Sequence, residues 1–320
     1  AAAPHVYPGA MSHTPLMLSA LATSAVPGFQ AVSAQSLSTP ERDAALVHDV
    51  NSFAWLVELA RTEPEEALMS ARHSAARALS EGLRSRLSFR VPKLHGTTDV
   101  GGKTLSVSEY LPGRELVPAR VTPILAASVG KALAEIHQLP TSTLLDFDRP
   151  SQSALDSLRE AAGIVDRAAA TGLLPQSLLR RWETACEDAG LWQFETTVIH
   201  GLMQASRFLC DGEQVVAIEE WRELRIGDPA RDLAWLTTPT MSSFSPAVIT
   251  SYRSSRSSAD RYVAQRARFW AELDIARWLL HGIENGIEKV IEDATDMVQA
   301  LHDRVSGDLD QALTMPISTN

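Results

Sequence analysis

Cysteine is nearly absent, with only Cys186 and Cys210 in 320 residues. Two thiols make neither a disulfide framework nor a zinc site by themselves, and they read as buried thiols of a reducing compartment. No apolar run approaches the ~18 residues needed to span a bilayer. The apolar, Ala/Ser-rich stretch Pro15–Val26 has no basic segment before it, which argues against a signal peptide. An excess of positive charge is missing too. The formal net charge is −10, and such a chain repels nucleic-acid phosphates and anionic lipid. The expected location is the cytoplasm, with no nucleic-acid or membrane partner. None of the nine histidines forms an i, i+4 pair around a Glu, which leaves zinc-dependent hydrolysis without support. No G-x-S-x-G occurs, so a serine hydrolase elbow is unsupported as well.

What is present is ordinary globular material. At 45% hydrophobic and 21% charged residues, the chain can fill one large domain or two lobes. Met11 reads as a natural start, with residues 1–10 as a tag or disordered tail. A short helix is expected over Pro15–Ser24, ending before Pro27-Gly28. Strand-like runs follow at Phe29–Ser33, Ala44–His48 and Phe53–Ala60. A long helix opens near Pro64 and extends to about Leu87, with Glu63, Glu65 and Glu66 at its start and Arg84 and Arg86 at its end, as the helix dipole favours. Two further strands, Phe89–His95 and Thr104–Tyr110, flank the Asp99–Gly102 turn.

Leu111-Pro112-Gly113 is a sharp break. Beyond it the chain is mostly helical: Thr122–Gln138, Ser151–Thr171, Pro175–Ala189, Pro229–Thr237, Pro246–Arg253, Ser258–Gly282 and Ile287–Leu309. One β-loop-β insert interrupts these helices, a strand from Val198, a polar loop and a hairpin through Asp211-Gly212. The expected fold class is α+β. A β-rich N-lobe with one long helix spans 11–111, a larger helical C-lobe spans 112–310, and a tail covers 311–320.

The insert carries the strongest signal. It reads His200-Gly201-Leu202-Met203-Gln204-Ala205-Ser206-Arg207, then Ile218-Glu219-Glu220-Trp221, then Gly227-Asp228-Pro229-Ala230-Arg231-Asp232-Leu233-Ala234. This resembles the aminoglycoside and macrolide phosphotransferase family, whose motif runs H-G-D-L-x-x-x-N, then I-D-W, then G-D-P-x-x-D-L-A. Glu109-Tyr110-Leu111-Pro112-Gly113, Leu133-Ala134-Glu135-Ile136-His137 and Val91-Pro92 add to the resemblance. It implies a protein-kinase-like fold. In that family a loop Asp handles the substrate hydroxyl proton. An Asn and a strand Asp hold magnesium, and a third-strand cation holds the nucleotide phosphates and pairs with a Glu of the N-lobe helix.

This sequence departs from the pattern at the chemical positions. Leu202 stands at the base position, and losing a general base alone lowers a rate by roughly 10²–10⁴. Arg207 stands at the Asn position and cannot ligate a cation. Glu220 replaces the metal Asp and is the only metal candidate. Glu58 replaces the third-strand cation, and a carboxylate there repels phosphate. Arg61, three residues on, should face the other side of the strand. The helix around His73–Leu79 offers no evident Glu partner. Glycine is absent between Gln30 and Asp49, where a nucleotide loop would sit. By contrast, Gly227-Asp228-Pro229 and Asp232 persist and read as caps and loop supports. His200 reads as structural, packing beneath the loop. Phe269, Trp270 and Trp278 read as helix core. Arg261, Arg266, Arg268 and Arg277 read as a solvated basic face.

No catalytic group is therefore intact, and neither a cofactor nor a metal is expected. The leading expectation is a pseudokinase that binds an unidentified small molecule or protein partner. The resemblance places substrate between the loop and the segment Pro246–Gly282. Leu202 and Met203 would give that site an apolar floor suited to a neutral or aromatic ligand, or would close it by packing. The alternative is an active ATP- or GTP- and magnesium-dependent phosphotransferase with an alcohol acceptor on a small molecule, using Glu220. A third reading is a relic acting only through its surface. Arg207 is expected to stand in for the metal by forking onto Glu220.

Overall fold

The computed structural model describes residues 12–147, 149–256, 258, 260–306 and 313. The expected tag and start residue, and nearly all of the expected C-terminal tail, lie outside them. The first helix, α1 (Pro15–Ala25), starts where the Thr14 side chain accepts from Met17 N and Pro15 occupies the first turn. Strands β1 (Ala31–Ser36), β2 (Arg42–Asp49) and β3 (Ala54–Ala60) follow. Helix α2 (Glu63–Ala78) is capped by Thr62 and carries Glu63, Glu65 and Glu66 in its first turn. It stops well short of the expected Leu87. Leu79 and Leu83 are both buried, and the chain turns between them into the short α3 (Glu81–Arg84). Arg84 donates to Ala76 O and Val91 O, each at 2.9 Å, which satisfies a carbonyl left open at the end of α2.

The next strand, β4 (Leu94–Val100), begins five residues later than expected. Pro92 has no N–H for a ladder. The residues before it form instead an isolated bridge, Arg90 to Ala217. The chain continues through β5 (Lys103–Glu109) and β6 (Arg114–Glu115), then α4 (Pro123–His137), α5 (Ser142–Leu145), α6 (Ala154–Ala170) and α7 (Gln176–Glu187). Strands β7 (Thr197–Ile199), β8 (Phe208–Asp211), β9 (Gln214–Ile218) and β10 (Arg225–Gly227) come next. The expected helix after Asp228 is a run of 3-10 turns, Pro229–Thr237. The chain closes with α8 (Ser245–Ser255), α9 (Val263–Asn285) and α10 (Glu288–Val305). Helix α9 outruns the expected Gly282 because Gly286, at φ 64°, supplies the left-handed cap.

Two compact units emerge. The first runs up to Leu116 and includes Ser206–Glu223; the second holds Val117–Ala205 and the chain from Leu224. The first unit contains an antiparallel sheet ordered β1-β2-β3-β5-β4 and the smaller sheet β6-β8-β9. Leu18 and Ala22 of α1 pack with Val47, Val57, Leu59, Leu105 and Val107 of the large sheet. Because side chains alternate along a strand, Glu58 points to the opposite face from Val57 and Leu59. The second unit is helical, with one two-stranded ribbon, β7 with β10. The fold is α+β.

Candidate functional site

The motif loop begins at His200, where β7 ends. His200 is fully buried, and its Nδ1 accepts from Leu202 N at 3.2 Å. Beneath the loop lies the carboxylate of Asp232, which accepts from His200 N at 2.7 Å and Gly201 N at 2.8 Å. Its Oδ2 also meets His137 Nε2 at 3.2 Å, and His137 Nδ1 lies 2.8 Å from the Tyr252 hydroxyl. Burial alone would push the Asp232 carboxyl up, but the His137 contact, His200 and the Gly201 amide outweigh it and hold it down. Burial holds His137 below its usual range. Gly201 sits at φ 82°, the left-handed turn that carries the backbone over this carboxylate.

The second retained aspartate is satisfied as fully. Asp228 caps the following turn by accepting from Ala230 N at 2.9 Å. It also accepts from Arg266 Nε at 2.9 Å and Nη2 at 3.0 Å, and from Trp270 Nε1 at 2.8 Å. Arg266 was expected on a solvated face; it is fully buried, with a second carboxylate from Asp260 and a contact to Leu191 O. Burial opposes its charge, but Asp228 and Asp260 more than restore it. Phe269 and Trp270 are core residues, whereas Trp278, expected beside them, is 39% exposed and donates to Asp293. Where the resemblance puts a base, the loop carries the half-buried Leu202 and the buried Met203. Neither side chain can accept a proton.

In the first unit, the β1–β2 connection is closed on itself. Leu37 N donates to Ala44 O at 2.8 Å and Thr39 N to Arg42 O at 2.9 Å. Ser38 N donates to Ser36 Oγ at 3.4 Å, and Glu41 N to Thr39 Oγ1 at 3.3 Å. Pro40 has no N–H. Every amide from Leu37 to Glu41 is thus accounted for within the turn. A phosphate-cradling loop presents such amides to the anion instead.

Charged side chains link the strands to α2. Arg42 Nη1 lies 3.1 Å from Glu58 Oε1 and 3.6 Å from Glu65 Oε1. Glu65 is also bonded by Arg72. Arg72 Nη1 lies 3.7 Å from Glu220 Oε2, and Arg222 Nη1 lies 2.8 Å from Glu220 Oε1. The result is a ladder of alternating sign: Glu58, Arg42, Glu65, Arg72, Glu220, Arg222. Burial opposes the charge on Arg72, but Glu58, Glu220 and Glu65 outweigh it and hold the guanidinium charged. Glu220 has φ 64°, a left-handed backbone that is rare for a side chain of this type and is concentrated at functional positions.

One expectation changes here. Arg207 was to fork onto Glu220, but the guanidiniums beside Glu220 are those of Arg72, at 3.7 Å, and Arg222, at 2.8 Å. The Arg207 charge acts on the neighbouring Glu219, and its carbonyl accepts from Glu219 N at 3.0 Å. Burial pushes the Glu219 carboxyl up, and Glu115, Glu220 and Glu58 push it further, against Arg207. The third-strand residue Glu58 is itself a carboxylate and is tied to α2 through Arg42, which also pairs with Glu65. Arg61, expected to face away from the phosphate position, is bonded to Asp43 and Ser12.

At the positions to which the resemblance gives the metal ligands and the phosphate cation stand Arg207, Glu220 and Glu58. A guanidinium cannot ligate magnesium, Glu220 lies beside two guanidiniums, and a carboxylate at Glu58 is a poor fit to a phosphate. Among the described residues, no group of three or more His, Cys, Asp or Glu side chains is placed to hold a metal.

A sequence model of the phosphotransferase enzyme family matches residues 41–274. No curated protein sequence matches the chain. Among solved structures, the macrolide 2'-phosphotransferase MphH from Brachybacterium faecium, as apoenzyme, is similar with TM-score 0.68. It is 18% identical over 87% of this chain and 96% of its own. A macrolide 2'-phosphotransferase type I is similar with TM-score 0.67, at 19% identity over 90% of this chain and 98% of its own. The GDP complex of wild-type aminoglycoside 2'-phosphotransferase-IIIa is similar with TM-score 0.70, at 15% identity over 90% and 98%.

Proposed function

The chain belongs to the phosphotransferase enzyme family, and from that premise we propose that it is a catalytically inactive member, a pseudokinase that works by binding a ligand or partner. The observation that carries this reading is the ion-pair ladder. In a working phosphotransferase, cations and metal gather around the nucleotide phosphates. Here Glu58 and Glu220, at two of those positions, are neutralised by the protein's own arginines, in a run of three carboxylates and three guanidiniums in alternation. Leu202 removes the proton acceptor, and the self-closed β1–β2 turn withholds the amides. The retained aspartates serve the backbone and buried cations.

The polarity of the loop bears on the ligand. Leu202 and Met203 offer hydrocarbon where the relatives' motif has an acid, which suits a neutral or aromatic group better than a polycation. The test of inactivity is a thermal-shift measurement with ATP–magnesium and GTP–magnesium. A ligand at 100 times its Kd stabilises by about 2.7 kcal/mol, which is a shift of several degrees. No shift with either nucleotide is expected, and a shift of several degrees would overturn the reading.

The rival reading is an active phosphotransferase that acts on a small-molecule alcohol with ATP or GTP. Glu220 favours it in one respect: the position still carries a carboxylate on a left-handed backbone. It requires Glu220 to leave Arg72 and Arg222 for a metal, and a base other than Leu202.

A further inference from the structure

We infer that the ladder is a ligand-independent lock, a chain of ion pairs between strands and helix that holds α2 in place with no nucleotide bound. The inference stands on the ladder geometry, so it can fail separately from the proposal of inactivity. Helix α2 supplies Glu65 and Arg72. Arg42 on β2 bonds Glu65 and also Glu58 on β3. Arg72 reaches Glu220, which precedes the 3-10 turn Trp221–Glu223. A third tie comes from Glu66 Oε1, which accepts from Thr104 N of β5 at 3.0 Å. Helix α2 is therefore tied directly to β2, β5 and the segment after β9, and through Arg42 to β3.

In the family pattern the strand residue is a cation and the helix residue a Glu, so the strand cation is shared between helix and phosphates. Here the third-strand residue Glu58 is a carboxylate that repels a phosphate, and it is tied to α2 through Arg42, which lies 3.1 Å from Glu58 and 3.6 Å from Glu65. The helix is held by side chains that no nucleotide can complement. The other ladder members are consistent with this. Glu58 is 8% exposed, and Arg72 and Glu65 have side chains 21% and 12% exposed, so solvent screens the pairs only in part.

Hydrogen–deuterium exchange of the full chain tests the lock. Wild-type α2 should show the same protection with and without ATP–magnesium. Glu65→Gln, isosteric and in the middle of the ladder, should speed exchange in α2 by about tenfold or more, leaving α6 in the other unit unchanged. Arg72→Gln should have the larger effect. If it fails to fold, Glu65→Gln and Arg222→Gln still decide the question. Unchanged exchange in α2 in both of these variants would overturn the lock. So would equal acceleration of α2 and α6, because the ladder would then be a general stability element. If ATP–magnesium protected wild-type α2, the proposal of inactivity would fall, while the variants would still report on the lock.

Discussion

The two halves of the motif differ in what their polar groups bond to. Around the loop of the second unit, Asp228 and Asp232 are fully buried and each meets several protein donors. In the first unit, the positions to which the resemblance gives phosphate and metal contacts carry Glu58, Arg207 and Glu220. The two aspartates bond to the protein's own backbone and buried cations, whereas Glu58 and Glu220 pair with side chains of the ladder.

The comparison can be broken most severely at Arg266. Arg266→Met leaves Asp228 buried without its counter-charge, and the expected loss is roughly 3–5 kcal/mol, read by urea denaturation. A loss under 1 kcal/mol would mean that Asp228 is not held as described. Next is Asp232→Asn, which turns a charged acceptor of two amides into an amide. The expected loss is about 1.5–3 kcal/mol. Because the folded Asp232 carboxyl is held down, the stability it confers is present above its ordinary value of 3.8 and lost as pH falls below it. The gap between wild type and Asp232→Asn should therefore narrow in acid.

Much of the scaffold is legible in the sequence, and particular residues show why the rest is not. The turn begun by Asp228, which accepts from Ala230 N, and the hairpin through Asp211-Gly212 are local patterns, set by neighbours in the chain. The ladder is not local. Glu58, Arg42, Arg72 and Glu220 meet only when β2, β3, α2 and the segment after β9 are assembled, so Arg72 could not be singled out along a helix of mixed charge. Arg266 had a signal that counting charges on the helix obscured. It stands beside Ala267, Phe269 and Trp270, an apolar setting in which a guanidinium must find a carboxylate. Pro92 carried the cue for the late start of β4.

Two smaller effects sharpen the comparison on the first unit's side. Glu219 has its carboxyl pushed up in the fold, so its contribution is fully present below the ordinary 4.5 and is lost as pH rises through the folded value. Glu219→Gln should raise Tm at pH 7, and the gain should vanish below pH 4.5; a lower Tm at pH 7 would contradict the assignment. The smallest expected effect is on activity. Leu202→Asp restores the base position but neither the metal nor the phosphate site, so ATP-dependent phosphorylation of a macrolide or an aminoglycoside should stay at background.

Calorimetric titration of the wild-type chain with ATP–magnesium, then GTP–magnesium, tests the central claim most directly. The account predicts no saturable heat with either nucleotide. Low-micromolar binding of either one would mean that Glu220 exchanges its arginines for a metal, and the chain would have to be counted among the working phosphotransferases.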